Sequence, residues 1–316
     1  MTYAAGSNIL ANDYNSFATL VGGISEVFTD LHLGTTTIAN GADFGYGQSS
    51  TLTSVSAATN ITATEWSTLF TVMNRCGSHQ GTTTIPPLPA INPNIGDNIV
   101  AIATLSALLS ALRTNRFNLA PGQSSFTTAS SSGVSAPWTN SLTYTFSVNL
   151  GNWNNARYFF NSGGFISISG NYPGNAYPVG SDDYQWYSML NTMSPLLFKA
   201  KSTTPNSGTG GTIIGLWDSG TGNPLSTSYT TVYSKTYGGG GFYTNASIVV
   251  EAKLSAAAPA AGSELIQFRI TLTQNDSHTA NPKLLSTTFT MTETHSAGTF
   301  VWPGSATITP GSFILT

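Results

Sequence analysis

Charge is what this chain has least of. Asp, Glu, Lys and Arg make up 7% of its 316 residues, against about 25% in a typical soluble domain. Its 10 basic residues are scattered and its formal net charge is -3. That removes the electrostatic footprint a nucleic-acid partner needs. It also removes the polybasic stretch that an anionic membrane surface would attract. Cys76 is the only cysteine, so no disulfide within the chain and no multi-cysteine zinc site can form. It reads as a small buried apolar residue. No run of 18 apolar residues occurs, so no transmembrane helix is expected. The N-terminal stretch MTYAAGSNILANDYNSF lacks a basic n-region before a long apolar run. It does not read as a secretory signal peptide.

What is present is neutral. Mean hydropathy is near zero, and 40% of the residues are hydrophobic. A sizeable core is therefore available, and disorder through low hydrophobicity and high charge is not expected. Ser, Thr, Asn and Gly stand where charges usually do.

The first third reads as helical. Ile9, Leu10, Tyr14, Phe17, Leu20, Val21, Ile24, Val27 and Phe28 recur at spacings of three and four after a potential cap at Ser7. Gly22 and Gly23 predict a kink or break in the middle. Residues 33–60 are rich in Gly, Thr, Ser and Asn and read as loop. A second helix begins at a capping box, Thr62 and Glu65, before Trp66, Leu69, Phe70 and Met73. Its end is expected near Gly77. Ile85-Pro86-Pro87-Leu88-Pro89 reads as an extended connector. A third helix is expected over about 96–114, with Ile99, Ile102, Leu105, Leu109 and Leu112 along one side. The last four also fit an a/d pattern over two heptads, short of the length that argues for a coiled coil. These five residues are candidates for an oligomer interface, or for packing of the helix on its own domain.

After Pro121-Gly122 the period changes to two. Residues 142–148, 165–169, 229–235, 248–254, 265–273, 287–292 and 306–309 alternate or run apolar and read as strands between Gly/Pro/Asn turns. Trp186, Leu190 and Met193 predict a short inserted helix, capped by Ser181 or Asp182 and ended before Pro195. The fold expected is α+β. A small helical N-terminal docking or oligomerisation region (1–120) precedes a mainly antiparallel β-sandwich (121–316), jelly-roll-like, with an inserted helix.

No catalytic set stands out. His32, His79, His278 and His295 form no HExxH motif and no i,i+4 pair. Asp276-Ser277-His278 reads as turn chemistry, and Gly238–Gly241 lacks the Lys-Ser/Thr of a phosphate-binding loop. The acids Asp182, Asp183, Asp218, Glu251, Glu264 and Glu293 cannot be paired from sequence. Glu251, Glu264 and Glu293 lie in or beside strands and are expected to face solvent. No cofactor or metal is expected. Tyr172 and Tyr177, in the loop Asn171–Tyr177, and Phe242 and Tyr243, after the glycine run, are candidates for stacking on a sugar face. The alternative is packing against the sandwich or a neighbouring subunit.

Two stretches carry a resemblance. One is Gly45-Tyr46-Gly47-Gln48-Ser49-Ser50 with Asn60-Ile61-Thr62-Ala63-Thr64-Glu65-Trp66 and His79-Gln80-Gly81. The other is Ala156-Arg157-Tyr158-Phe159-Phe160-Asn161-Ser162-Gly163-Gly164. They resemble virion structural proteins of tailed phages, especially phages of marine bacteria and cyanobacteria, which are described as tail-fibre-like. The resemblance implies a homo-oligomer, with a homotrimer as the usual state of phage fibres. It implies partners among tail, neck or baseplate proteins, contact with a host-surface glycan, and location in the virion after synthesis in the host cytoplasm. It transfers no catalytic residue. Read from its residues alone, the apolar run Tyr158-Phe159-Phe160 predicts a strand leading into a hairpin, with Arg157 paired to an acid or stacked on an aromatic ring.

Overall fold

The computed structural model describes residues 11–19, 23–29, 45–48, 52–81, 102–134, 138, 140–172, 178–179, 181–193, 195–199, 212–213, 225–237, 246–257, 261–262, 264–274, 287–296 and 306–315. The expected features at Ser7, Ile85–Pro89, Gly238–Gly241 and Asp276–His278 lie outside them. Two units divide the chain. One holds Met1–Ser125, Arg157–Gly164 and His295–Trp302; the other holds Phe126–Ala156, Phe165–Thr294 and Pro303–Thr316.

The first unit is helical. Helices α1 (Ala11–Ala18) and α2 (Ile24–Phe28) replace one long helix, and Gly23 is the N-cap of α2. The expected break is therefore present. Helix α3 (Ala63–Gln80) starts at the Thr62 capping box: the Glu65 N–H donates to Thr62 Oγ1 at 3.3 Å, and the Thr62 N–H donates to Glu65 Oε2 at 2.6 Å. It runs past Gly77 to Gln80, because the left-handed residue that ends it is Gly81, at φ 69°. Helix α4 (Ile102–Thr114) follows. Tyr14, Phe17, Ile24, Val27 and Phe28 share one core with Trp66, Leu69, Phe70, Met73, Leu105, Leu109 and Leu112. Trp66 is its pivot, edge-on to Tyr14 at 5.5 Å and stacked with Phe70 at 5.8 Å. Asn15 ties the extended segment at Val55 to this core. Its Nδ2 donates to the Val55 carbonyl at 2.9 Å and its Oδ1 accepts the Val55 N–H at 2.8 Å.

One expectation is overturned. The run through Tyr158-Phe159-Phe160 is a helix, α5 (Trp153–Asn161), not a strand and hairpin. Its ends explain it. The Asn152 Oδ1 accepts the Asn155 N–H at 2.9 Å, as an N-cap does. At the other end, the Gly164 N–H donates to the Phe159 carbonyl at 2.9 Å and the Gly163 N–H to Phe160 at 3.1 Å. Gly163 sits at φ 83°. This is the paired-bond helix end that needs a left-handed glycine. A Cβ on Gly163 would also come within 2.8 Å of the Phe117 carbonyl oxygen. Gly163→Ala is therefore expected to cost about 1–3 kcal/mol in urea unfolding. The control Gly122→Ala, where a Cβ meets nothing within 4 Å, is expected to stay within about 0.5 kcal/mol. Equal effects at the two sites would contradict this helix end.

The second unit is built from strands β1 (Ser124–Ser130), β2 (Ser141–Asn149), β3 (Phe165–Asn171), β4 (Leu196–Lys199), β5 (Thr212–Ile213), β6 (Thr230–Thr236), β7 (Ser247–Leu254), β8 (Leu265–Thr273), β9 (Thr288–Ser296), β10 (Thr307–Pro310) and β11 (Ile314–Leu315). A four-stranded sheet has the order β1-β9-β3-β4. A seven-stranded sheet has the order β10-β2-β8-β7-β6-β5, with β11 also on β2. All seven expected strands are present, and the fold is α+β with two mainly antiparallel sheets. Because β5 to β8 meander side by side in one sheet, the jelly-roll detail of the expectation is not what these pairings draw.

Alternation decides which face is inside. In β2, β7 and β8 every second residue is buried: Leu142, Tyr144, Phe146 and Val148; Ile248, Val250, Ala252 and Leu254; Ile266, Phe268, Ile270 and Leu272. The register aligns them, Phe146 with Phe268 and Ala252 with Phe268 among others. The two sheets meet through Phe198 and Phe268, 5.0 Å apart, and through Tyr144 and Phe289, 4.9 Å apart. The Tyr144 hydroxyl donates to the Thr287 carbonyl at 2.8 Å. In β6 a bulge between Thr231 and Tyr233 lets both Val232 and Tyr233 turn inward. The inserted helix α6 (Asp182–Met193) is capped by Ser181, whose Oγ accepts the Tyr184 N–H at 3.2 Å. It lies on β3 at Gly170, where a Cβ would come 2.7 Å from Leu190. Its Trp186 meets Trp138 edge-on at 5.7 Å.

Candidate functional site

The two stretches that carry the resemblance come together in the first unit. The Asn161 Nδ2 donates to the Gly45 carbonyl at 3.1 Å. Gly47, at φ 71°, lies so close to the Tyr158 ring that a Cβ there would approach it to 2.5 Å. His79 reaches the Ser162 carbonyl at 2.8 Å. A carbonyl only accepts, so His79 carries its proton on Nε2. The Tyr46 ring lies 5.0 Å from the His79 ring. The Tyr46 hydroxyl donates to the Arg116 carbonyl at 2.6 Å and accepts from Gln80 Nε2 at 2.8 Å; Gln80 also donates to the Leu112 carbonyl at 3.0 Å. Arg157 stacks on Tyr158, its guanidinium 5.2 Å from the ring centre, one of the two roles expected of it.

Burial sets the chemistry of this cluster. It pushes the Tyr46 hydroxyl well above its ordinary range and the Cys76 thiol up likewise. It pushes His79 down to about 4, against a smaller opposing effect of the Ser162 carbonyl. All three are neutral near neutral pH. A buried neutral thiol is not a nucleophile, and this arrangement suits packing between the two motifs rather than proton transfer.

The candidate interface residues have a different fate from the one the heptads suggested. Ile99 lies outside the described residues, and so does the side chain of Ile102. Leu105, Leu109 and Leu112 are buried in the core of their own unit. An a/d stripe has the same spacing whether it meets a second copy or its own domain, and here α1, α2 and α3 fill that side. Leu105, Leu109 and Leu112 thus take the second of the two expected alternatives, packing on their own domain. Of the sugar-stacking candidates, Tyr177, Phe242 and Tyr243 lie outside the described residues. Tyr172 is half-buried and donates its hydroxyl to Asp183.

The outer faces of the sheets carry hydroxyls. On the four-stranded sheet the Thr128 and Thr292 hydroxyls share a hydrogen bond at 2.9 Å, and those of Ser130 and Thr290 one at 2.8 Å. Ser167 stands opposite Thr292, and Phe165 opposite Thr294. Phe126, 70% exposed, stands at one margin of this array, and Lys199 reaches over Phe165 at the other, 5.7 Å from its ring. On the seven-stranded sheet the Thr143 and Thr271 hydroxyls lie 3.3 Å apart. Beside them Arg269 grips Glu251 through two bonds of 2.6 and 2.9 Å and lies 4.3 Å over the Tyr229 ring. Glu251 is thus on an outer face but committed to Arg269. Glu264 accepts the Gly262 N–H at 2.9 Å, and the Glu293 side chain lies outside the described residues. Phe126 and its strand escaped the sequence reading because Ser125, Thr127 and Ala129, on the strand's other side, are too small to mark an inward face.

Among the described residues no three His, Cys, Asp or Glu side chains could hold a metal ion together, and no helix is long and apolar enough to cross a membrane. No family model, curated protein or solved structure matches the chain.

Proposed function

We propose that this chain is a non-enzymatic structural component of a phage virion, part of a tail fibre, neck or baseplate appendage. The observation that carries the reading is the outer face of the four-stranded sheet, where Thr and Ser side chains hydrogen-bond across strands. Such surfaces suit neutral neighbours, either packed protein or a glycan. The helical unit would dock on the particle. The sheet unit would face outward. The distribution of carboxylates argues in the same direction. Glu26 pairs with Arg113 at 3.2 Å, Glu65 serves the capping box, Asp183 takes the Tyr172 hydroxyl and Glu251 holds Arg269. Among the described residues each of these four has a structural partner, whereas a glycosidase uses two carboxylates across one bond.

A host-glycan adhesin is the second reading, favoured by the exposed Phe126 beside the hydroxyl rows. Cryo-EM of the parent particle is expected to show density for both units on a tail, neck or baseplate. Its absence from purified particles overturns the virion reading. Release of soluble glycan from host cells by the purified chain would overturn the non-enzymatic part alone.

A further inference from the structure

β1 is an open sheet edge without the devices that usually close one. In the four-stranded sheet it has β9 on one side only. It is seven residues long, holds no charge and no proline, and buries none of its side chains. Edges of this kind recruit another strand unless they are short, charged, bulged or covered. The other edges among the described residues carry such devices. β4 ends in Lys199, β5 has two residues, and β10 ends in Pro310.

The register shows which groups are open. Thr128 stands beside Thr292 and Ser130 beside Thr290, and the Ser131 N–H donates to the Phe289 carbonyl at 2.8 Å. These relations place the odd-numbered residues of β1 in the bonded positions toward β9. In an antiparallel ladder the alternate residues then turn their N–H and C=O groups the other way. Phe126, Thr128 and Ser130 thus present backbone donors and acceptors to the free side, where they meet no partner among the described residues.

We propose that β1 is the seam of a two-fold dimer, in which β1 of a second copy of this chain adds antiparallel to it about an axis at Thr128. Thr128 then bonds Thr128 of the second copy, and Phe126 faces Ser130. A second copy is the occupant because the strand carries no charge to select a partner of opposite sign, and because the open groups are self-complementary under a two-fold axis. The exposed Phe126 ring gains cover over the second copy's Ser130 and Thr290 hydroxyl row. The two hydroxyl faces become one continuous surface, twice the width of the four-stranded sheet. This inference stands independently of the virion reading. It also differs from the trimer expected of a phage fibre.

Thr128→Pro tests it, because it removes an outward N–H while leaving the bonds to β9 in place. Phe126→Lys puts a charge on the edge by a different route. Light scattering of the full chain is expected to give twice the 33.0 kDa chain mass. Each variant is expected to raise the dimer dissociation constant roughly tenfold or more, with an unchanged circular dichroism spectrum. If Thr128→Pro fails to fold, Phe126→Lys and hydrogen exchange decide. The Phe126 and Thr128 amides are expected to be protected in a concentration-dependent way. A wild-type monomer or trimer, a dimer that survives Phe126→Lys, or amide protection that ignores concentration would each overturn the proposal.

Discussion

Phe268→Ala is expected to cost about 3–5 kcal/mol of unfolding free energy, the usual range for removing a buried Phe. Phe268 is fully buried in β8 and stands between Phe146 and Ala252 in the register. Its ring lies 5.0 Å from Phe198 of the facing sheet. The substitution thus opens a cavity where both sheets and three neighbouring strands meet, and Ala252 is too small to fill it. Total stabilities of about 5–15 kcal/mol are typical, so the loss should be visible as an early urea midpoint. The neighbour Gln267 turns outward, and Gln267→Ala is expected to stay within about 0.5 kcal/mol. The pair tests the register directly. A slip of one residue would exchange the two faces, and comparable losses at both positions would refute the inward and outward assignment along β8.

That register was legible because the period of two survives along β2, β7 and β8. Each has four apolar side chains on one side and mainly hydroxyl or charged ones on the other. α3 was legible at its start for a similar local reason, since Thr62 and Glu65 stand three apart before an apolar stripe. α5 was not, because Tyr158, Phe159 and Phe160 are consecutive and fit neither period. What decides it is a cap at Asn152 and a glycine pair at Gly163 and Gly164. The end of α3 was misplaced because Gly77 and Gly81 both offer a glycine, and only tertiary packing chooses between them. Sheet order lay beyond sequence altogether. β9 sits between β1 and β3, and β2 next to β8, partners more than 100 residues apart in the chain. The candidate contact residues suffered most. Leu105, Leu109 and Leu112 were found as a stripe, but a stripe does not say what it packs on. Phe126 offered no apolar partner at a spacing of two.

Lowering the pH from 7 to 4 is expected to weaken the first unit through His79. The ring is 1% exposed and donates to the Ser162 carbonyl. Burial pushes its pKa down to about 4, from 6.5 when unfolded. Above pH 6.5 both states hold the ring neutral, and its contribution is fully present. Between 6.5 and 4 the unfolded chain takes up a proton that the folded chain refuses, so stability falls with pH. Below 4 both states are protonated and the loss levels off. At about 1.4 kcal/mol per unit, the whole effect is about 3 kcal/mol. The groups around the ring do not soften it. Tyr46 and Cys76 are neutral throughout this range, and Arg116 stays a cation. His79→Gln keeps a donor for the Ser162 carbonyl and removes the titration. The difference in unfolding free energy between wild type and this variant is expected to shrink by about 3 kcal/mol from pH 7 to pH 4. Two pH profiles that run parallel would show that His79 is not held neutral at the meeting point of the two motifs. A His79 forced to stay neutral ties the Gly45–Gln48 loop, the end of α3 and the end of α5 into one acid-sensitive unit.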